Sequence, residues 1–379
     1  MRFFWLLTTF PFLYVLFRVI APFRPFRWHR AFAAAALFLV AFKFQILRRF
    51  AGPRFFAPDL PTWFMVLSTW VFVAFLFFSA LLLFSDLVRV AAWAVQKLRR
   101  RPAGAFMARP GWALTTVLLT AAFLLSAWGM ANAKAPPEVR HVEICRADLP
   151  PELDGFRIVL LADLHVDKTA RRAEIAAVVR RANALRPDLI AIAGDFADGT
   201  VAQLGEKLEP LRDLRAKYGV CGIPGNHEYY SGYAEWLHFL RGIGIDMLEN
   251  EHRRPCPQLV LAGVTDPAAR IRRMEVPDIP KALRGVPAGC FTILLAHQLK
   301  NTREAAELGV DLQLSGHTHG GMIAGLDRVI ALMNYGFVSD MYTVGNMRLY
   351  VSRGTSLWKG FPIRLGVPAE ITCITLRRK

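Results

Sequence analysis

Cysteine is scarce in this chain: Cys145, Cys221, Cys256, Cys290 and Cys373 are spread over 379 positions. None stands in a C-x-x-C pair, which excludes the usual spacing of a thiolate metal site or a dithiol redox site, and an odd, dispersed set assigns no disulfide. Acidic residues are nearly missing from the first third. Residues 1–139 hold 16 Lys and Arg against three Asp and Glu, whereas the remaining 240 hold 31 against 27. The net charge of +17 therefore belongs mostly to the first third. The remainder, at +4, has no dense cationic stripe interleaved with aromatics, which argues against a nucleic acid partner. Internal repeats and low-complexity tracts are absent too.

The first third instead carries apolar mass. A bilayer core of roughly 30 Å is crossed by about 20 helical residues, and four stretches are candidates: 3–20, 31–47, 62–84 and 111–133. The last two contain no charged residue, while Arg18 and Lys43 interrupt the first two close enough to an end to snorkel toward headgroups. Residues 1–133 are thus expected to form an all-α transmembrane segment of about four helices. Cytoplasmic loops carry the excess of Lys and Arg, and Arg89, Lys97, Arg99, Arg100, Arg101 and Arg109 make the third loop the most basic. That loop inside places the C-terminal part outside. The expectation is a multi-pass inner (cytoplasmic) membrane protein with its larger domain on the periplasmic, extracytoplasmic side.

Residues 134–139, with Pro136 and Pro137 paired, read as an extended linker, and residues 140–379 as one domain. There, short apolar runs alternate with amphipathic stretches: strand 157–162, helix 170–184, strand 189–193, helix 201–217, strand 219–223. This βαβαβ order predicts an α/β sheet domain. Further strands are expected at 259–264, 291–296, 311–314, 348–352 and 370–376, with a helix at 302–308.

Several strands end in polar residues that a buried sheet has no need of. Ligands of α/β sheets bind beyond the carboxyl ends of the strands, and at those ends lie Asp163-Leu-His165, Gly194-Asp195-Phe-Ala-Asp198, Gly225-Asn226-His227-Glu228, His297 and Gly316-His317-Thr-His319. Carboxylate and imidazole suit Mn, Fe or Zn without thiolate. Asp163, His165, Asp195, Asn226, His297, His317 and His319 are too many for one tetrahedral ion and suit two divalent ions sharing a carboxylate.

Five such blocks in this order resemble the calcineurin-like metallophosphoesterase superfamily, whose pattern is D-x-H, G-D-x-x-D, G-N-H-[ED], H and G-H-x-H. The likeness spans residues 156–376. The tyrosines after Asn226-His227-Glu228, the stretch 315–321, Ser352-Arg-Gly354 and Pro368-Ala-Glu370 resemble its membrane-linked bacterial branch. The resemblance implies a two-sheet β-sandwich flanked by helices. It further implies that Asp163, His165 and His319 bind a first metal, that Asn226, His297 and His317 bind a second, and that Asp195 bridges them. His227 would donate to the phosphoryl oxygen or leaving group, with Asp198 orienting its ring. Glu228 is expected to hydrogen-bond the loop. Tyr229 and Arg353 are candidate substrate contacts, and Arg270, Arg272 and Arg273 a solvated basic run.

Two cations about 3.5 to 4 Å apart can clamp the attacking and leaving oxygens of an in-line phosphoryl displacement and lower the pKa of a shared water. The expected function is therefore a membrane-anchored two-metal hydrolase, attacking in line with a metal-bridging hydroxide. Its substrate would be a phosphodiester or pyrophosphate in or near the membrane or cell envelope, lipid-linked substrates included, in preference to a monoester. Diacylglucosamine pyrophosphate donors, suggested by the resemblance, face the cytoplasm and conflict with an outward domain. The alternatives are a sensor or scaffold that keeps the fold without turnover, and a nuclease.

Overall fold

Strands that are buried at nearly every position belong in a sheet covered on both faces, and the strands that end in the polar motifs are of this kind. The computed structural model describes residues 2–22, 27–51, 58, 60–99 and 111–379. It divides the chain into two compact units, Met1–Met130 and Ala131–Lys379.

The first unit is helical: α1 (Arg2–Val15), continued by a wider turn to Ile20, α2 (Arg27–Ala41), α3 (Lys43–Ala51), α4 (Thr62–Leu98) and α5 (Trp112–Ala133), the last of which runs into the second unit. Two helices, α4 and α5, are long and apolar enough to cross a membrane; α2 and α3 reach that length only as a pair bent by 68°, and 7–20 is a shorter apolar helix. Four equivalent spans are therefore not seen among the described residues. Helix α4 also runs past residue 84, so that Arg89 and Lys97 lie within it instead of in a loop. Arg24, Arg54, Arg100, Arg101 and Arg109 lie outside the described residues. The two interrupting cations have partners within the unit. Arg18 donates to both carboxylate oxygens of Asp86 at 2.6 and 2.8 Å, and Lys43 is buried and donates to Thr69 Oγ1. Pairing within the unit satisfies each group, as burial requires.

The second unit contains β1 (Glu138–Arg146), β2 (Arg157–Leu161), α6 (Arg172–Ala184), β3 (Leu189–Ile192), α7 (Val201–Leu208), β4 (Val220–Gly222), α8 (Asn226–Ser231), α9 (Tyr233–Gly242), β5 (Asp246–Met247), β6 (Glu251–Cys256), β7 (Leu259–Gly263), α10 (Ile279–Ala282), β8 (Phe291–Leu295), α11 (Thr302–Glu307), β9 (Leu312–Ser315), α12 (Asp327–Met333), β10 (Asp340–Val344), β11 (Met347–Val351) and β12 (Glu370–Arg378). Two six-stranded sheets form, ordered β1-β12-β2-β3-β4-β5 and β10-β11-β9-β8-β7-β6. In the first, β2 to β5 are parallel and β12 is antiparallel to β2; in the second, β7, β8, β9 and β11 are parallel.

Alternation along each strand divides the core. Ile158, Leu160, Leu189 and Ala191 face inward, where they meet Leu261, Ile293, Leu295 and Leu314 of the second sheet. Val159, Leu161, Ile190 and Ile192 face out, under α6, α7 and α9 through Val178, Leu204 and Leu240. Two expected boundaries shift. Strand β1 begins at Glu138, inside the expected linker, because β12 offers it a parallel partner from Glu370 onward. The helix expected at 201–217 ends at Leu208 and tightens into a 3-10 turn containing Pro210, whose ring cannot continue an α-helix. All five cysteines are free.

Candidate metal centre

The carboxyl ends of β2, β3, β8 and β9 converge, and the loops leaving them bend sharply. Asp163, His165, Asp195, His317 and His319 all have φ between 42° and 73°. Non-glycine residues rarely occupy this left-handed region, and such strain concentrates at functional sites. Two motif glycines permit the crowding. A β-carbon on Gly225 would lie 2.2 Å from Asp195 Oδ1, and one on Gly316 would lie 2.5 Å from Asp163 Oδ2.

Three groups of donors result, Asp163 with His165 and His319, Asp195 with His297 and His317, and, between them, His165 with Asp195 and His227, each with ligand atoms within 4.8 Å of one another. Asp195 reaches the first two. Its Oδ2 is 3.4 Å from His165 Nε2 and 3.2 Å from His297 Nε2, while Oδ1 accepts the His227 amide at 2.9 Å. The neighbouring contacts aim the rings. His297 Nδ1 donates to the Ala193 carbonyl at 2.7 Å and His165 Nδ1 to Asp198 Oδ1 at 2.9 Å, which leaves both Nε2 atoms as lone-pair donors. Asp163 accepts the His317 amide.

Does this pocket fit two cations? His165 Nε2, His297 Nε2, His319 Nδ1 and Asn226 Oδ1 are buried and make no hydrogen bond. Buried polar atoms are ordinarily paired, so four unpaired ligand atoms, two of them on rings whose Nε2 lies beside the Asp195 carboxylate, fit metal ligation, and the set contains no thiolate. Charge agrees. His317 is pushed down to about 3 and His319 well below the imidazole range, by burial and by the neighbouring imidazoles, so both rings are neutral as ligation requires. Burial is the largest single influence and lowers His297 and His227 as well, but the surrounding carboxylates together outweigh it, Asp195, Asp163 and Asp266 raising His297 well above its ordinary range and Asp195 and Asp198 bringing His227 to about 9. The carboxylates thus create a field that holds positive charge here.

His227 stands beside the first two groups, its Nε2 4.0 Å from Asp195 Oδ2 and its Nδ1 2.6 Å from Asp198 Oδ1. Asp198 therefore grips two rings, His165 and His227, where the sequence suggested only one. Glu228 is fully buried and accepts the amides of Gly225, Asp195, Phe196 and Ala197 at 2.8 to 3.3 Å. Burial, and then Asp195, raise its carboxyl to about 7. Removing the acceptor strands four buried N–H groups. We expect Glu228→Ala to cost about 3 kcal/mol or more of stability, read as a lower unfolding midpoint; an unchanged midpoint would refute this role.

Neither expected substrate contact stands free at the site. Tyr229 is 1% exposed, stacks on Tyr233 at 4.3 Å and packs with Ala268 and Ala269. Helix α8 turns the next residue, Tyr230, toward His227 instead, with 5.6 Å between ring centroids. Arg353 pairs with Asp340 at 3.1 Å and lies 3.8 Å from Glu370. Sequence reasoning missed Arg364, a buried cation that donates to the carbonyls of Val367, Arg353 and Ser356 and clasps the loops beside His319. No pattern around it gives a signal, since its partners are backbone atoms brought together by folding. Trp358, 6.2 Å from His227, was missed for the same reason.

The calcineurin-like phosphoesterase family matches residues 156–321. The chain is similar to a "Transmembrane protein with metallophosphoesterase domain" of Danio rerio, 35% identical over 340 residues that cover 86% of this chain and 76% of that protein. A protein of the same description from Bos taurus is 38% identical over 297 residues, 74% of this chain and 64% of its own. An uncharacterized metallophosphoesterase of Helicobacter pylori is 35% identical over 256 residues, 66% of this chain and 67% of its own. The likeness thus extends beyond a bacterial branch.

Proposed function

The chain belongs to the calcineurin-like metallophosphoesterase family, and on that premise we propose that it is a membrane-anchored hydrolase of a phosphodiester or pyrophosphate in or near the membrane. Asp163, His165 and His319 would hold one divalent ion, Asn226, His297 and His317 a second, and Asp195 would serve both. When bound, such ions polarise a phosphoryl group and lower the pKa of water, which supplies a nucleophile near neutral pH. The remaining work falls to side chains. Asp195 and Asp198 keep His227 protonated, so that its ring can donate to the leaving oxygen. The observation that carries this reading is the shared carboxylate of Asp195 surrounded by buried, unpaired ligand atoms.

The test is hydrolysis of a model phosphodiester and a model phosphomonoester by the full chain in detergent, with Mn²⁺, with Zn²⁺ and with chelator. Metal-dependent turnover that favours the diester supports the proposal. Two bound ions with no turnover would shift the reading to a sensor or scaffold.

Anchoring rests on α4 and α5 and on the basic region between them, which favours an outward catalytic unit. Protease added to spheroplasts should then cleave the chain beyond Ala133. Protection until the membrane is permeabilised would place the unit in the cytoplasm.

A further inference from the structure

Ten large apolar side chains stand exposed among the described residues of the catalytic unit, and eight of them fall in just two segments, 270–276 and 326–335. The first exposes Ile271, Met274 and Val276; the second exposes Leu326, Val329 and Leu332, the last at 83%. Helix α12, within the second, buries no residue at all. Apolar surface gathered in this way on an otherwise well-buried domain marks a contact face. We propose that these two segments insert into an anionic lipid surface and bring a headgroup-level phosphoester to the metal centre; this rests on the reading of the chain as a membrane-anchored phosphoesterase.

Both segments are rooted on elements that carry site residues. The 3-10 turn Pro267–Arg272 packs on α8 through Ala268, Ala269 and Tyr229, and Arg272 Nε donates to the Tyr229 carbonyl at 3.0 Å. Helix α8 supplies Asn226 and His227. Helix α12 packs against the turn His319–Gly321, where a β-carbon on Gly321 would meet the Asp327 α-carbon at 3.3 Å. A surface that both segments touch is therefore registered to the ligands on two sides.

Charge and chain connection select a lipid surface as the occupant. Arg270, Arg272, Arg273 and Arg328 are exposed among the apolar residues and outnumber the exposed acids of the two segments, Asp327 and Glu275, the latter engaged with Lys281. Apolar side chains interleaved with arginine are suited to the boundary between acyl chains and anionic headgroups. The connection between α5 and the catalytic unit is short. Only residues 134–137 separate that helix from β1, and Arg181 Nη1 holds the Pro137 carbonyl against the catalytic unit.

The experiment uses the full chain in phosphatidylcholine vesicles with and without phosphatidylglycerol. Cys145, Cys256 and Cys290 are replaced by serine, and a fluorophore is attached at Leu332→Cys, at Ile271→Cys or, as a control, at Arg212→Cys. Nitroxide-bearing lipids should quench the first two, more strongly with phosphatidylglycerol, and spare the control. In parallel, Leu332→Asp with Ile271→Asp should lower hydrolysis of a bilayer-embedded phosphodiester by about tenfold or more, leave that of soluble bis-(para-nitrophenyl) phosphate unchanged, and be relieved by Leu332→Met with Ile271→Leu. Labels spared by lipid quenchers, including labels covered by another protein surface, would overturn the proposal, as would an equal fall on both substrates. Failure of the wild type on every phosphoester would sink the hydrolase reading alone, because quenching still decides the lipid contact.

Discussion

Asparagine in place of Asp195 should reduce turnover by about 10³-fold or more, a loss of about 4 kcal/mol of transition-state stabilisation, and leave the chain short of its full metal complement. The two side chains are of equal size, and the carboxamide oxygen of an asparagine can still accept the His227 amide that Asp195 Oδ1 takes at 2.9 Å. What disappears is the negative charge between His165 Nε2 and His297 Nε2, a group within reach of both donor sets. Elemental analysis of the purified full chain, beside its turnover, separates the two losses. Near-normal turnover with two ions retained would refute the shared role.

His227→Gln should behave differently, with kcat lowered about 10² to 10⁴-fold and metal content unchanged. Its ring is held from behind by Asp198, so removing it takes away a proton donor and leaves intact the two donor groups that do not include it, Asp163 with His165 and His319 and Asp195 with His297 and His317. Asp198→Asn provides the contrast. Because Asp198 also holds His165, that variant should lose turnover and in addition weaken metal affinity by about 10 to 100-fold. Metal lost from His227→Gln, or full affinity kept by Asp198→Asn, would reverse the assignment of the two roles.

Much of this site was legible because its chemistry is written locally. Each motif sits at the end of an apolar run, and the strands β2, β3, β8 and β9 lie within a residue or two of where those runs predict them. The less legible parts depend on partners far away in the chain. Tyr229 and Tyr230 are neighbours of equal chemistry, and only the packing of α8 on Ala268 and Ala269 decides which ring is buried. Arg353 looked available until folding set Asp340 beside it.

From its sequence alone the protein is determined to have an apolar, basic first third, an α/β second part and a set of candidate oxygen and nitrogen donors in fixed order, because periodicity, charge and donor type are properties of short stretches. Tertiary structure alone decided that β12 enters the first sheet between β1 and β2, that Arg18 pairs with Asp86, and that Asp198 holds two rings. It also decided that five of the candidate ligand residues adopt the left-handed region. The reason is burial. Pairings between distant residues are chosen by which arrangement covers the apolar faces and satisfies every buried polar group, and no short stretch contains that information.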